Sequence, residues 1–339
     1  MKRERVTPVS ELLTPGDVRE AGARIAALQA GLNQVLLDQR PVVDRVVVAV
    51  LARGHVLLEG LPGLGKTELC KGLARLLALP FKRVQFTPDL LPGDITGTYV
   101  LDGATSAFSF RPGPLFASLV LADEINRSSP KTQSALLEAM AERSVTVLGT
   151  THALPSPFFV LATQNPIELE GTYPLPEAQL DRFLFRIQVP PVGARTLAAI
   201  LTQRVRGEPP ALSPAVDRAG LEALFAFTDR VHLPGPVAEY IGRLVEATHP
   251  GTAGAPEAVK RLVRFGASPR AALALAASAR AWALAQGKPN VGFDEVRDLA
   301  PAVLEHRLVL AYQAGLEQVG PGQVVEALLR AVPEVGRGP

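Results

Sequence analysis

The chain has 339 residues, 47% of them hydrophobic and 20% charged. That is enough apolar material for about two packed domains at ~150 residues each, and it excludes wholesale disorder. Lys and Arg number 35 against 33 Asp and Glu, a net charge of +2, which excludes a generally polycationic nucleic-acid coat. The single cysteine, Cys70, cannot form an intrachain disulfide and reads as a buried small hydrophobe. The charged start carries no apolar leader, and the longest apolar stretches are interrupted by Asp44, Arg45 and Arg280. A cytoplasmic protein without a membrane span is expected. The histidines at 55, 152, 232, 249 and 306 have no metal-ligand spacing.

Residues 14–34 carry Ala and Leu at helical spacing. The β-branched run 42–52 is ambiguous by pattern, and its place ahead of a short strand favours helix. Residues 55–59 read as an apolar strand and 60–65 as a tight Gly/Pro loop. Residues 66–78 read as an amphipathic helix with Leu69, Leu73, Leu76 and Leu77 on one side. Further strands are predicted at 81–86, 119–122, 158–163 and 185–189. A helix runs from a Ser129 cap and Pro130 to about Arg143. Strands alternating with helices predict a parallel α/β sheet. Pro190-Pro191 and Gly207-Glu208-Pro209-Pro210 break the chain. Beyond about 213, helices at 218–231, 236–247, 256–265, 269–286 and 293–304 predict a second, all-helical domain.

Gly60-Leu61-Pro62-Gly63-Leu64-Gly65-Lys66-Thr67 matches G-x-x-x-x-G-K-[ST] between a strand and a helix. Glycines let backbone N–H groups turn inward around phosphate oxygens, and the helix N-terminus adds positive potential. Lys66 is placed to reach the β- and γ-phosphates and Thr67 to ligate Mg²⁺, with Glu68 next on the helix. A bound nucleotide is expected. Leu119 to Glu124 sets two carboxylates at the end of a buried strand, where ligands of open α/β sheets sit. Asp123 suits the Mg²⁺ water shell, and Glu124 suits proton abstraction from an attacking water. A protein that only switches would not require Glu124, so hydrolysis is predicted.

Asn165 ends another apolar strand, where it either orients that water or simply occupies the turn before Pro166. Arg182 follows a short helix and could pair with Asp181 or Glu177. Arg270 lies in the first turn of a helix capped by Ser268, where it makes an anion site with the helix terminus or reaches a nearby carboxylate. The residues alone leave these alternatives open. Gln85 and Thr87 are candidates to couple substrate binding to Glu124.

At this point the chain resembles the MoxR family of AAA+ ATPases. The matching blocks are Gly60–Thr67, Gln85–Asp94, Phe110–Pro114, Ala122–Arg127, Ala162–Pro166, Gly171–Phe183 and Gly266–Arg270, spanning about 35 to 310. The resemblance implies an AAA+ P-loop core, a five-stranded parallel sheet between helices, in residues 35–205. Residues 1–34 then form a helical segment before the core, read from their own spacing, and the helical domain at 213–339 would be the family's lid. The resemblance also implies an insert at about 87–114, in loops 89–93 and 103–114, and a hairpin at about 144–158 with its tip near Gly149-Thr150. Asn165 falls on sensor 1, Arg182 on an arginine finger offered to the next subunit, and Arg270 on sensor 2, reaching the γ-phosphate from the lid. Val35 and Leu36 would contact adenine. The sequence departs from the family at Asp38-Gln39, where Gly-Gln is usual and Gly would allow a positive φ.

The family implies a Mg²⁺-dependent ATPase working as a homo-oligomeric, hexameric ring. It would remodel or mature a protein client in a chaperone-like way, with a von Willebrand factor A domain protein as partner. A nucleic-acid-translocating motor is the first alternative, but residues 146–157 contain no Lys or Arg to meet phosphates. No nucleic-acid partner is therefore expected. A chelatase-type motor subunit for metal insertion and a nucleotide-gated scaffold are the others.

Overall fold

The computed structural model describes residues 12–101, 103, 107–165, 171–204 and 209–335. The first part of the expected N-terminal segment, Pro166, the break at 207–208 and part of the 103–114 loop lie outside the described residues.

Helix α1 (Pro15–Val35) begins where Thr14 and Asp17 cap each other reciprocally, at 3.0 and 3.1 Å. The ambiguous run becomes helix α2 (Arg40–Leu51), with Val42, Val43 and all of 46–51 buried. A helix apolar nearly all round belongs in a core. Then come β1 (Val56–Glu59), α3 (Lys66–Leu76) and β2 (Phe81–Gln85). Next are α4 (Pro92–Thr96) and a hairpin of β3 (Gly97–Leu101) with β4 (Phe108–Pro112). Thus the expected loop insert contains a helical turn and an antiparallel ribbon. Strand β5 (Leu119–Asp123) precedes α5 (Pro130–Glu142), whose Ser129 cap accepts from the Thr132 amide. A second hairpin joins β6 (Ser144–Val147) to β7 (Thr150–Ala153) through Leu148 and Gly149. Their φ values of +49° and +78° suit a turn that follows the strands' twist. The chain continues through β8 (Phe159–Gln164), α6 (Glu177–Leu180), β9 (Phe185–Gln188) and α7 (Ala194–Gln203).

Strands β2, β5, β8, β1 and β9 form one parallel sheet in that order. Every residue of β1 and β5 is buried, while edge strand β2 exposes Lys82 and Arg83. Helices on both faces demand that pattern of the inner strands. Leu58, Leu119, Leu121 and Leu161 share a core with α1–α3, whereas Leu57, Val120, Val160 and Ala162 face α5 and the hairpins.

The C-terminal part contains α8 (Arg218–Arg230), α9 (Gly235–Glu246), α10 (Glu257–Leu262), β10 (Val263–Phe265), α11 (Pro269–Ala285), α12 (Phe293–Leu304), β11 (Val309–Leu310), α13 (Tyr312–Leu316) and α14 (Pro321–Ala331). The helix expected over 256–265 stops at Leu262, because Val263–Phe265 pairs antiparallel with Val309–Leu310. A β-branched and an aromatic residue there favour the ladder. Small Ala side chains let α11 touch α1, α2, α8, α9 and α12. The core on that side of the sheet runs without a break into these helices. Among the described residues, no helix is long and apolar enough to cross a membrane.

His55 precedes β1 and is buried, its Nδ1 accepting from the Val160 amide at 3.0 Å and its Nε2 facing the Met140 carbonyl at 3.3 Å. Burial pushes its pKa down from 6.5 to about 4. Below pH 6.5 the unfolded chain binds a proton that the folded chain refuses until about pH 4. Stability therefore falls through that window as pH drops, by up to about 3 kcal/mol. Urea melts of H55Q should show a shallower acid loss than wild type. Parallel acid limbs would contradict this.

Candidate active site

The turn after β1 wraps back because Gly63 and Gly65 take φ values of +80° and +79°. These are inexpensive only for glycine. A Cβ on Gly65 would stand 3.0 Å from Leu36 Cδ1. A cavity of about 360 Å³ opens above this turn, lined by Pro62, Gly63, Gly65, Lys66, Thr67, Glu68, Arg83, Asp123, Glu124, Thr163 and Asn165. The structure thus gathers the phosphate loop, both carboxylates and Asn165 at the carboxyl ends of β1, β5 and β8. Gly60 and Leu61 supply carbonyls that accept from Lys66 Nζ, and Leu64 packs on the core. Burial pushes the Lys66 ammonium below its ordinary pKa, against the pull of Asp123, Glu124 and Glu59.

One hydroxyl orders the two carboxylate residues. Thr163 Oγ1 donates to Asp123 Oδ1 at 2.5 Å and accepts from the Glu124 amide at 2.9 Å. Glu124 has φ +55°, uncommon for a side-chain-bearing residue. Its Oε2 accepts from Gln85 Nε2 at 2.7 Å and lies 3.2 Å from Arg127 Nη1. Gln85 can meet Glu124 because β2 pairs with β5, placing Gln85 beside Asp123. Thr87 is exposed. Arg83, which the sequence pattern did not single out, pairs with Asp123 at 2.7 Å.

Mg²⁺ typically takes one or two carboxylates plus phosphates and waters. Thr67 and Asp123 line one cavity, and among the described residues no group of three His, Cys, Asp or Glu could hold a metal unaided. The donor set fits a cation that arrives with a nucleotide.

Val35 and Leu36 are both 4% exposed. Val35 lies against Gly72 of α3 and Leu36 against Gly65 of the phosphate loop, and neither is among the residues lining the cavity. Asp38 adopts φ +59°, the conformation glycine would have eased, and its Oδ2 accepts from Thr196 Oγ1 at 3.0 Å.

Arg182 and Arg270 lie elsewhere. Arg182 precedes β9, at the amino edge of the sheet, and its Nε is buried with no hydrogen-bond partner among the described residues. Arg270 is 61% exposed and lies 3.8 Å from Asp181 Oδ2, which also accepts from Ser268 Oγ at 2.9 Å. Asp181 Oδ1 accepts from Arg307 Nε at 2.8 Å. The Arg307 side chain is 3% exposed and also donates to the carbonyls of Asp181, Phe183 and Leu184. The lid and the segment before β9 are therefore joined through Asp181.

A sheet of this order, a phosphate loop on β1, acidic residues on β5 and a helical lid define a P-loop ATPase of the AAA class. The family described as "ATPase family associated with various cellular activities (AAA)" matches residues 55–185, and the AAA lid domain matches residues 256–328. Chaperone MoxR1 of Mycobacterium tuberculosis is 41% identical over 330 residues, covering 96% of this chain and 87% of its own length. Protein MoxR of Paracoccus denitrificans is 34% identical, covering 92% of this chain and 96% of itself. The uncharacterized protein YeaC of Bacillus subtilis is 43% identical over 89% of this chain and 92% of its own. A crystal structure of a candidate ATPase from Cytophaga hutchinsonii superposes with a TM-score of 0.87 at 35% identity, covering 95% of this chain and 98% of that one. The chain belongs to the MoxR family of AAA+ ATPases.

Removing the Asp181 carboxylate strands a buried guanidinium. D181A should destabilise the fold by about 3 kcal/mol in denaturant melts, with D181A/R307M recovering part of the loss. Equal loss in both would show that Arg307 matters for packing alone.

Proposed function

We propose that this protein hydrolyses ATP at a seam between two copies of itself. One copy supplies the phosphate cavity and the next supplies Arg182 and Arg270. The observation that carries this is the direction of the sheet. Val56 of β1 lies beside Phe185 of β9, and Glu59 beside Gln188. Arg182 comes just before Phe185, whereas the phosphate loop follows Glu59. A four-residue strand spans about 13 Å. The finger thus stands at the far edge from its own cavity, whose lining includes neither Arg182 nor Arg270. Arg270, held at Asp181, shares that edge.

In this reading Lys66 and the loop amides hold the β- and γ-phosphates, and Thr67 and Asp123 hold Mg²⁺. When bound, that ion neutralises charge on the phosphate oxygens. Asn165 orients the attacking water and Glu124 accepts its proton. Gln85 holds the Glu124 carboxylate until substrate rearranges the pair. Arg182 from the neighbour meets the charge on the transferring phosphoryl, a contribution of about 10³–10⁵ in rate elsewhere. Its buried Nε–H, with no hydrogen-bond partner among the described residues, is a donor that calls for an acceptor.

The work done with that energy is remodelling or maturation of a protein client. The name of the mycobacterial relative, a chaperone, supports this, and the family resemblance supports a hexameric ring and a von Willebrand factor A domain partner. The paired hairpins fit a client-facing role. Phe110 stacks on His152 at 3.8 Å, and Leu148 and Phe108 stand exposed beyond that contact. Residues 146–157, without Lys or Arg, argue against nucleic acid.

Mixing two inactive variants tests the seam. E124Q should bind ATP without turning it over, and R182A should be about 10³-fold slower than wild type. Mixed assemblies pair an intact Glu124 with an intact Arg182 and should regain phosphate release. No recovery at any ratio would refute the shared site.

A further inference from the structure

Arg83 reaches the phosphate cavity from the edge strand. Gln85 lies beside Asp123 in the ladder, and Arg83, two residues earlier, shares its face. The long stem carries the guanidinium along the strand to the acid. Nε and Nη2 donate to Asp123 Oδ2 at 3.0 and 2.7 Å, and Nη2 also donates to Gln85 Oε1 at 2.7 Å. The other carboxylate oxygen, Oδ1, accepts from Thr163. Both oxygens of the residue proposed to hold Mg²⁺ are therefore committed. One partner is a buried hydroxyl that also anchors the Glu124 amide. The other is a cation whose side chain is 48% exposed.

The two partners differ in what a metal would do to them. Thr163 is neutral and its hydroxyl can remain. The guanidinium cannot lose its proton at any working pH. A divalent ion and a guanidinium sharing one carboxylate repel each other, so each weakens the hold of the other. Lys66 does not compete for Asp123, since its ammonium is bonded to the Gly60 and Leu61 carbonyls.

We propose that Arg83 is a resident counter-cation of Asp123 that Mg²⁺ must displace, so that this arginine sets the metal requirement of nucleotide binding. The proposal rests on the cavity being the Mg²⁺–nucleotide site proposed above. Without the metal, Arg83 neutralises an acid that would otherwise repel the phosphates. With the metal, that help becomes competition.

The quantity to measure is the factor by which saturating Mg²⁺ tightens binding of a fluorescent ATP analogue relative to EDTA, using the full chain. R83Q keeps a hydrogen-bonding side chain and removes the charge. Its factor should exceed that of wild type by roughly three- to tenfold, and its half-saturating Mg²⁺ should fall. R83K retains charge without the fork and should lie between the two. It carries the test if R83Q melts below the assay temperature. A factor unchanged or reduced in the variants overturns the proposal. That includes the case in which Arg83 is a phosphate ligand, where binding weakens equally with and without metal. A wild-type protein that binds no nucleotide under either condition overturns the cavity assignment as well.

Discussion

Five strands pointing the same way impose the constraint on which this molecule turns. Every strand-to-helix loop opens at one edge of the sheet, and every return loop opens at the other. The phosphate loop, Asp123, Glu124 and Asn165 stand at the carboxyl ends of β1, β5 and β8, so they converge. Arg182 precedes β9, so it diverges. No side-chain rotation crosses a strand length of about 13 Å together with the loop beyond it. A reaction that needs both edges needs two molecules. Asp181 enforces the arrangement from the lid side, since Arg307, Ser268 and Arg270 all converge on its carboxylate. The lid is thereby fixed to the amino edge of the sheet, and the continuous core beneath α11 holds it there.

At the other edge, polar groups form a closed chain. Thr163 links the Asp123 carboxylate to the Glu124 backbone, Gln85 links the Glu124 carboxylate to Arg83, and Arg83 returns to Asp123. Partially buried charges are tolerable when each has such partners. The same circuit makes the acids responsive, because a ligand that takes one member disturbs the rest. The positive φ of Glu124 fits this picture, as a less favoured backbone persists where neighbours over-determine it.

Local sequence was informative wherever chemistry and structure lie within a few residues. The strand, phosphate loop and helix from 56 to 76 follow from one motif and its flanks. The Ser129 cap marks its helix, whereas the hairpin turning at Leu148 and Gly149 was implied by the family resemblance. The run 42–52, ambiguous by its own pattern, is the helix that its place ahead of a strand favoured. Expectations held less well where the outcome depended on a distant partner. Residues 263–265 leave their helix because Val309 and Leu310 lie alongside. Helices α4, α7, α13 and α14 were not anticipated, being short or bounded by Gly and Pro that also fit loops. Arg83 meets an acid 40 residues away and Arg307 one 126 residues away. Strand order and lid placement decide both, and neither is written in a local pattern. Arg270 shows the remaining limit: the nearby-carboxylate alternative and the anion-site alternative differ by which edge of the sheet the lid covers.

The dependence of turnover on assembly puts the shared site to its most direct trial. Specific ATPase activity should be measured across protein concentration, with mass photometry reporting the species present. Activity per chain should fall towards zero as copies separate, while each monomer still binds ATP. Constant activity per chain among isolated monomers would contradict it.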